Sequence, residues 1–397
     1  MAHHYIPFAN SVTDWPLINS LYSEAAGCRV TLQSLKKAFS QKLPTPKLWV
    51  DTEVDGLDSP QIFTSEDKGY QNYREYISQF ENAKKIADPK FQLDPDKADV
   101  ASFVSSVLRA AEAVPNVRWL SVPQLPYTPG RQRRKINKMM AEITGQLWSV
   151  SQKSRSVQLI LPVIFAKKRG QADAKTDRNA EVELATACFE ASRAQGVWIV
   201  DATLDDQEGI RDFENKRFPG IIKFHEELGK KLPAGTKTVA GPYWGLNLVL
   251  WARGVARCPA VGVGRSFQYY VPGRQPQSAK TRIALGPLKR LAVCSGLKPW
   301  LDESLHGLKK NDPAYREFAT LLKKLEYLQS NARKQVAEFY QGWLLKLESV
   351  PEGGRAMTLY QDFSSAYVLG KNVNRLPEGE DVRDPSLIAK QLMVNCL

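Results

Sequence analysis

Short apolar runs alternate with stretches of helical periodicity along the chain. The eight runs span residues 3–10, 47–54, 117–125, 157–165, 197–204, 237–244, 260–267 and 281–288. Most are continuous rather than alternating, which is typical of parallel strands buried on both faces. The connections that favour helices are residues 14–41, 69–86, 97–114, 131–152, 178–195, 207–230 and 245–257. The pattern predicts repeated βαβ units and hence an α/β fold, a closed (β/α)8 TIM-like barrel.

The predicted barrel covers residues 1–300, and residues 301–397 form a predicted C-terminal helical extension. The last connection, about 267–281, is polar and favours a loop, so an open doubly wound sheet is the alternative. The first strand is not followed by GxGxxG, which argues against a dinucleotide-binding sheet. Within the extension, residues 313–349 carry apolar side chains at helical spacing and predict either packing on the barrel or a partner-binding arm.

Composition narrows the class of protein. Of 397 residues, 55 are Lys or Arg and 42 are Asp or Glu, which gives a net charge of +13, and 43% are hydrophobic. This balance excludes wholesale disorder. No apolar run approaches the length of a membrane span, so no membrane partner is predicted. Five cysteines without paired spacing favour a reducing, cytoplasmic setting. Neither a zinc pattern nor a P-loop is present, so no metal and no cofactor are predicted.

Acidic residues follow two of the predicted strands. In a barrel of this class the active site lies at the carboxyl ends of the strands. Asp51, Glu53 and Asp55 follow the run at 47–54, and Asp201 ends the run at 197–204. Carboxyl groups held close together raise one another's pKa, which suits acid–base chemistry. We therefore predict Asp51, Glu53 and Asp201 as catalytic residues and Asp55 as substrate-binding, against the alternatives of a solvated, helix-capping loop or a structural ion pair.

Cations and aromatic residues follow other predicted strands. Cations at a strand end suit phosphate or carboxylate binding, and a glycine-containing segment such as VGVG at 261–264 suits phosphate. Flat rings at the same rim suit stacking of a base or sugar. The alternatives are a basic surface loop and interior packing. The further predicted substrate-binding residues are Lys167, Lys168, Tyr243, Trp244, Arg265, Ser266 and Tyr269.

A cluster of cations opens the predicted helix at 131–152. Positive charge at this end opposes the helix dipole, so helix formation alone does not explain it. The cluster predicts a nucleic-acid-binding surface, against the alternative of an ordinary solvated face. Its predicted nucleic-acid-binding residues are Arg131, Arg133, Arg134, Lys135 and Lys138.

An aspartate after an apolar strand, a basic surface and rings at a barrel mouth resemble the tRNA-guanine transglycosylase superfamily, which includes DNA-modifying and phage-defence relatives. In motif terms the resemblance depends on Asp51. It implies a (β/α)8 barrel that exchanges a base at an N-glycosidic bond through acidic residues. The chain departs from the family in lacking its zinc cluster and its late-strand aspartate, where Arg265 and Gly286 stand. A relative with these departures has a different nucleophile, such as Asp201, or has lost base exchange.

Three functions are therefore open from the sequence. The first is an enzyme that acts on an N-glycosidic bond in a nucleotide or nucleic acid. The second is a non-catalytic basic barrel that binds nucleic acid or a partner protein, through residues 131–138 and 313–349, in a defence or mobile-element system. The third is a glycoside hydrolase with two carboxylates, for which the separation of Asp51, Glu53 and Asp201 is the criterion.

Overall fold

Eight parallel strands form a closed barrel in the computed structural model. The described residues are 4–36, 42–127, 134–166, 174–202, 204, 217–263, 267, 269–272, 280–377 and 383–397. The strands are β1 (Ile6–Phe8), β2 (Cys28–Thr31), β3 (Leu48–Asp51), β4 (Val117–Ser121), β5 (Gln158–Phe165), β6 (Gly196–Asp201), β7 (Lys237–Ala240) and β8 (Cys258–Gly262). β1 pairs with β2 on one side and with β8 on the other, so the ring is closed. The (β/α)8 barrel expected from the sequence is confirmed.

Helices surround this barrel. They are α1 (Trp15–Leu21), α2 (Leu32–Lys36), α3 (Lys68–Ile77), α4 (Ala83–Ile86), α5 (Pro89–Leu93), α6 (Lys97–Glu112), α7 (Arg134–Val150), α8 (Ala174–Ser192), α9 (Arg217–Lys231), α10 (Leu246–Ala252), α11 (Leu297–Gly307), α12 (Pro313–Ser330), α13 (Ala332–Glu348), α14 (Glu352–Asn372) and α15 (Leu387–Val394). Each helix that follows a strand runs back along it, so its first turn lies at the carboxyl rim of the barrel. Within the described ranges, none of these helices combines the length and apolar character that crossing a bilayer requires.

Two of the strand assignments from the sequence are wrong. The stretch 14–41 was expected to be helical, yet it contains β2 between α1 and α2. The run at 281–288 was expected to be the eighth barrel strand, but it forms β9 (Arg282–Leu285), which pairs antiparallel with β10 (Arg290–Val293) outside the barrel. A buried hairpin and a buried parallel strand have the same apolar character, and β2 is short and carries an arginine, so periodicity alone identified neither.

Three aromatic side chains fill the barrel interior at the level of the middle of the strands. Phe8, Trp49 and Trp198 contact one another edge to face, with ring centroids 5.3 to 5.4 Å apart. The indole N–H of Trp49 donates to Ser121 Oγ at 2.9 Å, so its buried polar atom is satisfied. Edge-to-face packing of this kind stabilises beyond the area it buries. The interior is therefore a packed core, and chemistry is confined to its rim.

The C-terminal helices complete the barrel wall. After β8 the chain forms the β9–β10 hairpin, α11 and α12, and then returns as α13, which packs beside α1. Tyr22 of the α1 end donates its hydroxyl to the carbonyl of Ala337 on α13 at 2.9 Å. Tyr340 of α13 donates to Asn247 Oδ1 at 2.6 Å, beside the loop that follows β7. Thus α13 lies where a helix directly after β8 would lie in a regular barrel.

A second apolar cluster joins the hairpin to α11 and α12. Its members include Ile283, Trp300, Phe318 and Leu325. The apolar spacing seen at 313–349 thus covers two helices, separated at Asn331, rather than one arm. α12 packs on the hairpin cluster, while α13 packs into the core of the barrel itself.

The close approach of α7 to α8 supplies a test of the packing. A methyl group at Gly145 would overlap the backbone carbonyl oxygen of Ala191, whereas one at Gly342 of α13 meets nothing within 4 Å. We expect Gly145→Ala to lower the free energy of unfolding by about 1–3 kcal/mol. Gly342→Ala should raise it by up to about 1 kcal/mol, since alanine favours helix. Urea unfolding measures both, and equal effects would contradict this packing.

Candidate active site at the barrel mouth

A buried ion pair joins β2 to β3 at the mouth of the barrel. Asp51 is the last residue of β3, and Arg29 lies on the neighbouring strand. Arg29 donates through Nε to Asp51 Oδ2 at 2.8 Å and also through Nη2 to the same oxygen. The other carboxylate oxygen, Oδ1, accepts from the backbone N–H of Glu53 at 3.3 Å. Both side chains are almost fully buried, so each charge depends on the other.

Aromatic rings enclose the guanidinium group of Arg29. Its central carbon lies 5.1 Å from the ring centroid of Phe8, 5.5 Å from that of Trp198 and 5.2 Å from that of Tyr269. Ring faces attract a cation, and here they also keep water away from it. The pKa of Arg29 is raised because the nearby anions, led by Asp51, outweigh the opposing effect of burial. Arg29 of the ion pair is thus packed against three aromatic rings.

A tight turn after β3 carries two further carboxyl groups. Glu53 adopts a left-handed backbone conformation with φ of 50°, and a 3-10 turn covers Val54–Asp58. Two tyrosine hydroxyls of α3 donate to carbonyl oxygens of this turn: Tyr76 to Thr52 at 2.6 Å, and Tyr73 to Glu53. α3 therefore fixes the turn that positions Glu53 and Asp55.

Asp55 is a buried carboxyl group at this mouth with a raised pKa. Its Oδ2 accepts a hydrogen bond from the hydroxyl of Tyr269 at 2.8 Å. Burial raises the pKa of Asp55 well above its usual range, and the nearby charges of Asp51 and Glu53 raise it further. The hydrogen bond from Tyr269 and the charge of Arg29 act in the opposite direction. Asp55 is therefore a buried carboxyl group whose protonated form is favoured by its surroundings.

The predicted residues Asp51, Glu53 and Asp55, together with Tyr269, are thus brought together. Asp201 is placed differently. Trp198 of the same strand points into the barrel, and alternation along β6 then directs Asp201 outward, away from Asp51. Its backbone N–H donates to the hydroxyl of Tyr243 at 2.7 Å.

Two of the aromatic residues predicted to stack on a substrate, Tyr243 and Trp244, are buried in packing contacts. Tyr243 is buried and holds the end of β6 through the hydrogen bond from Asp201. Trp244 is buried among Phe267, Phe339 and Tyr340, and its indole N–H donates to the carbonyl of Lys289 at 2.8 Å. Neither ring offers an open face at the mouth.

The predicted cations are only partly described. Arg134, Lys135 and Lys138 lie on the first turns of α7, which follows β4 and therefore begins at the carboxyl rim. Lys135 pairs with the exposed Asp94 at 2.8 Å, and Lys138 is exposed. The other predicted cations and their neighbouring serine lie outside the described residues; they are Arg131, Arg133, Lys167, Lys168, Arg265 and Ser266.

Reasoning from the sequence missed Arg29, Tyr73 and Tyr76. Arg29 was hidden because the segment 14–41 was expected to be helical. The signal that marks it is an arginine inside GCRVTL, a short apolar stretch directly after a glycine. A charge at such a position demands a buried partner, and a strand-end carboxylate is the natural one. The two tyrosines carried no signal, because a helical aromatic pair is typical of any core.

Metal binding and likeness to known proteins add no further constraint. Among the residues that the structure describes, no group of three or more His, Cys, Asp or Glu side chains is arranged to hold a metal ion. No protein-family model matches the chain, and no curated protein matches it significantly. The site is therefore interpreted from its own geometry.

Removing only one partner of the Arg29–Asp51 pair should strongly destabilise the fold. Arg29→Met leaves the Asp51 carboxylate buried without its partner, and we expect the free energy of unfolding to fall by about 3–5 kcal/mol. The double variant Arg29→Met/Asp51→Asn removes the stranded charge and should recover much of this loss. Urea unfolding followed by tryptophan fluorescence measures both. A double variant as unstable as the single one would show that the pair is not coupled.

The raised pKa of Asp55 should make the stability of the folded chain depend on pH. A raised pKa in the folded state means that folding favours the protonated form, so this contribution is fully present below about pH 4 and is lost as the pH rises toward the raised pKa. Asp55→Asn mimics the protonated acid and does not titrate. We therefore expect the stability of Asp55→Asn relative to the unmodified chain to increase from pH 5 to pH 8 in urea unfolding. A difference that stays constant over this range would mean that Asp55 is not protonated in the folded chain.

Proposed function

We propose that the chain is an enzyme that breaks or exchanges an N-glycosidic bond in a nucleic acid or nucleotide, with Asp55 as general acid and Asp51 as electrostatic stabiliser. One observation carries the proposal: three carboxyl groups are buried together after β3, beside Arg29, which contacts Asp51. Arg29 pairs with Asp51, and the pKa of Asp55 is raised well above its usual range by burial and by the nearby carboxylates. Acids and bases with strongly perturbed pKa values cluster at functional sites.

The two aspartates suit different parts of such a reaction. Asp55 carries a proton in a site shielded from water, which suits protonation of a leaving base. Asp51 has hydrogen bonds to both of its carboxylate oxygens and is held in one orientation. A fixed anion of this kind is better suited to stabilising positive charge at the sugar carbon than to forming a bond with it.

The proposed reaction has two steps, cleavage of the glycosidic bond and addition to the sugar carbon. The bond between the sugar C1′ and the base nitrogen breaks with its electron pair on the base, while Asp55 transfers its proton to that nitrogen. Asp51 stabilises the oxocarbenium-like sugar. Water or an incoming base then bonds to C1′, and the proton it releases returns to the Asp55 carboxylate. Addition of water removes the base, and addition of a second base exchanges it.

Charge favours a phosphate-bearing substrate. The chain carries a net charge of +13, and the cations of α7 begin at the same rim as the carboxyl groups. A basic rim around an acidic centre attracts the phosphates of a nucleic acid and presents a sugar–base unit to the carboxyl groups. This charge distribution supports the N-glycosidic proposal over hydrolysis of an uncharged glycoside. The resemblance to the transglycosylase superfamily supports the same reaction class.

The central experiment measures release and exchange of bases. Transfer RNA and genomic DNA are incubated with the chain, and liberated bases are identified by chromatography and mass spectrometry. We expect Asp55→Asn to lower the rate by about 10²–10⁴-fold, because the proton donor is lost. In the unmodified chain the rate should fall as the pH rises through the raised pKa of Asp55, since only the protonated form donates.

A matched control separates chemistry from charge. Asp302→Asn on α11 also removes one carboxylate, from an exposed position away from the barrel mouth, and should leave the rate unchanged. Retention of the full rate by Asp55→Asn, or the absence of base release or exchange by the unmodified chain on both nucleic acids, would refute the proposed function. Binding without turnover would instead favour the non-catalytic alternative.

A further inference from the structure

A basic groove lies between α1, the β9–β10 hairpin and the junction of α12 with α13. Its volume is about 540 Å³. Four cations from two segments line it: Lys280 and Arg282 at the start of the hairpin, and Arg333 and Lys334 at the start of α13. Of the described residues that line the groove, none is an aspartate or a glutamate. We call this feature the basic groove.

Acidic residues contact the two cations of α13. Arg333 contacts Asp14, which is buried beneath the groove. Lys334 lies 3.7 Å from Glu338 one turn further along α13, and both side chains are about half exposed, so that pair is weak. The described lining itself contains four cations and no carboxylate.

The polar lining suits phosphate oxygens. Hydroxyl and amide groups of Thr13, Thr281, Gln329 and Ser330 lie among the cations. The last residues of α12 and the first residues of α13 also line the groove, so the opposite ends of two helix dipoles meet there and the side chains supply the positive charge. Cations, hydroxyls and helix N-termini are the groups with which proteins hold nucleic acid backbones.

The groove has no platform on which bases could stack. Its apolar lining consists of aliphatic side chains, and no aromatic ring occurs among the described residues that line it. Proteins that hold single-stranded bases combine basic grooves with aromatic rings. This groove therefore suits the sugar–phosphate backbone, independent of base sequence.

A chain of polar contacts connects the basic groove to the barrel mouth. Asp14, the partner of Arg333, accepts from the backbone N–H of Asn10 at 2.9 Å. The Asn10 side chain in turn accepts from Arg29 at 3.4 Å, and Arg29 holds Asp51. The groove thus lies next to the carboxyl rim, on the side of β1 and α1.

We propose that the basic groove binds the phosphodiester backbone of a nucleic acid and thereby directs a flanking nucleotide into the barrel mouth. The proposal depends on the proposed function for the role of the mouth, but backbone binding itself is measured without turnover. Contacts to the backbone do not distinguish one base from another, so residues of the barrel mouth would select the base. The selected base has to leave its stack before it can react there.

The test compares two double variants of equal charge. Lys280→Gln/Lys334→Gln removes two cations from the groove. Lys230→Gln/Lys231→Gln removes two exposed cations from the end of α9, which lies at the opposite rim of the barrel. The probes are fluorescein-labelled single-stranded DNA, single-stranded RNA of the same sequence, and the DNA duplex. Fluorescence anisotropy gives affinity between about 50 and 200 mM salt.

We expect the groove variant to bind all sequences more weakly and to lower the slope of log affinity against log salt by about 1 for each cation removed. The control variant should keep most of the slope. Equal losses in the two variants, an unchanged slope in the groove variant, or no binding of any probe by the unmodified chain would overturn the proposal. The relative affinity for the three probes identifies which backbone is preferred.

Failure of this proposal is distinguishable from failure of the proposed function. Asp55→Asn should bind the probes as the unmodified chain does, because Asp55 does not line the groove. Loss of activity in Asp55→Asn with equal binding by both double variants would keep the chemistry and reject the groove. Normal activity in Asp55→Asn with weakened binding by the groove variant would keep the groove and reject the chemistry.

Discussion

The ion pair between Arg29 and Asp51 is the constraint on which the barrel mouth depends. A carboxylate at the end of a buried strand is tolerated only when a cation compensates for the water it has lost. Arg29 supplies that cation from the neighbouring strand, and rings of the barrel interior enclose it. Burial raises the pKa of the adjacent Asp55, and the charge of Asp51 raises it further. The ion pair thus holds the Asp51 carboxylate beside a second, buried carboxyl group.

Part of the C-terminal region packs into the core of the barrel. α13 packs next to α1 and contacts two segments at the carboxyl rim, the turn before α1 and the first turn of α10. Arg333 contacts Asp14 after β1, and Tyr340 binds Asn247 after β7. These contacts tie residues far apart in the chain to the same rim. The rim geometry therefore requires the chain beyond the last barrel strand, and a truncation at residue 300 would remove part of its support.

Charge is segregated between the centre of the mouth and its surroundings. Carboxyl groups are buried after β3, while cations of α7 and of the basic groove lie at the surface around them. Exposed cations attract a polyanion over several ångströms, and the buried anions act only on the part of it that enters the mouth. Binding and chemistry are thereby assigned to different residues, which is why they can be tested by separate substitutions.

The sequence by itself determined the repeated strand–helix pattern, the barrel class and the presence of acids after β3, because apolar runs and their polar ends are local properties. The hairpin at 282–293 and the strand that carries Arg29 were decided by tertiary structure. A short strand with a charge is stable only beside its partner strand, and a buried run does not specify what it pairs with. Similarly, Asp201 and Asp51 follow equivalent runs, but the direction in which each side chain points was set by strand alternation in the closed ring. The proximity of Arg29, Asp51 and Asp55, and with it the raised pKa of Asp55, exists only once the ring has closed.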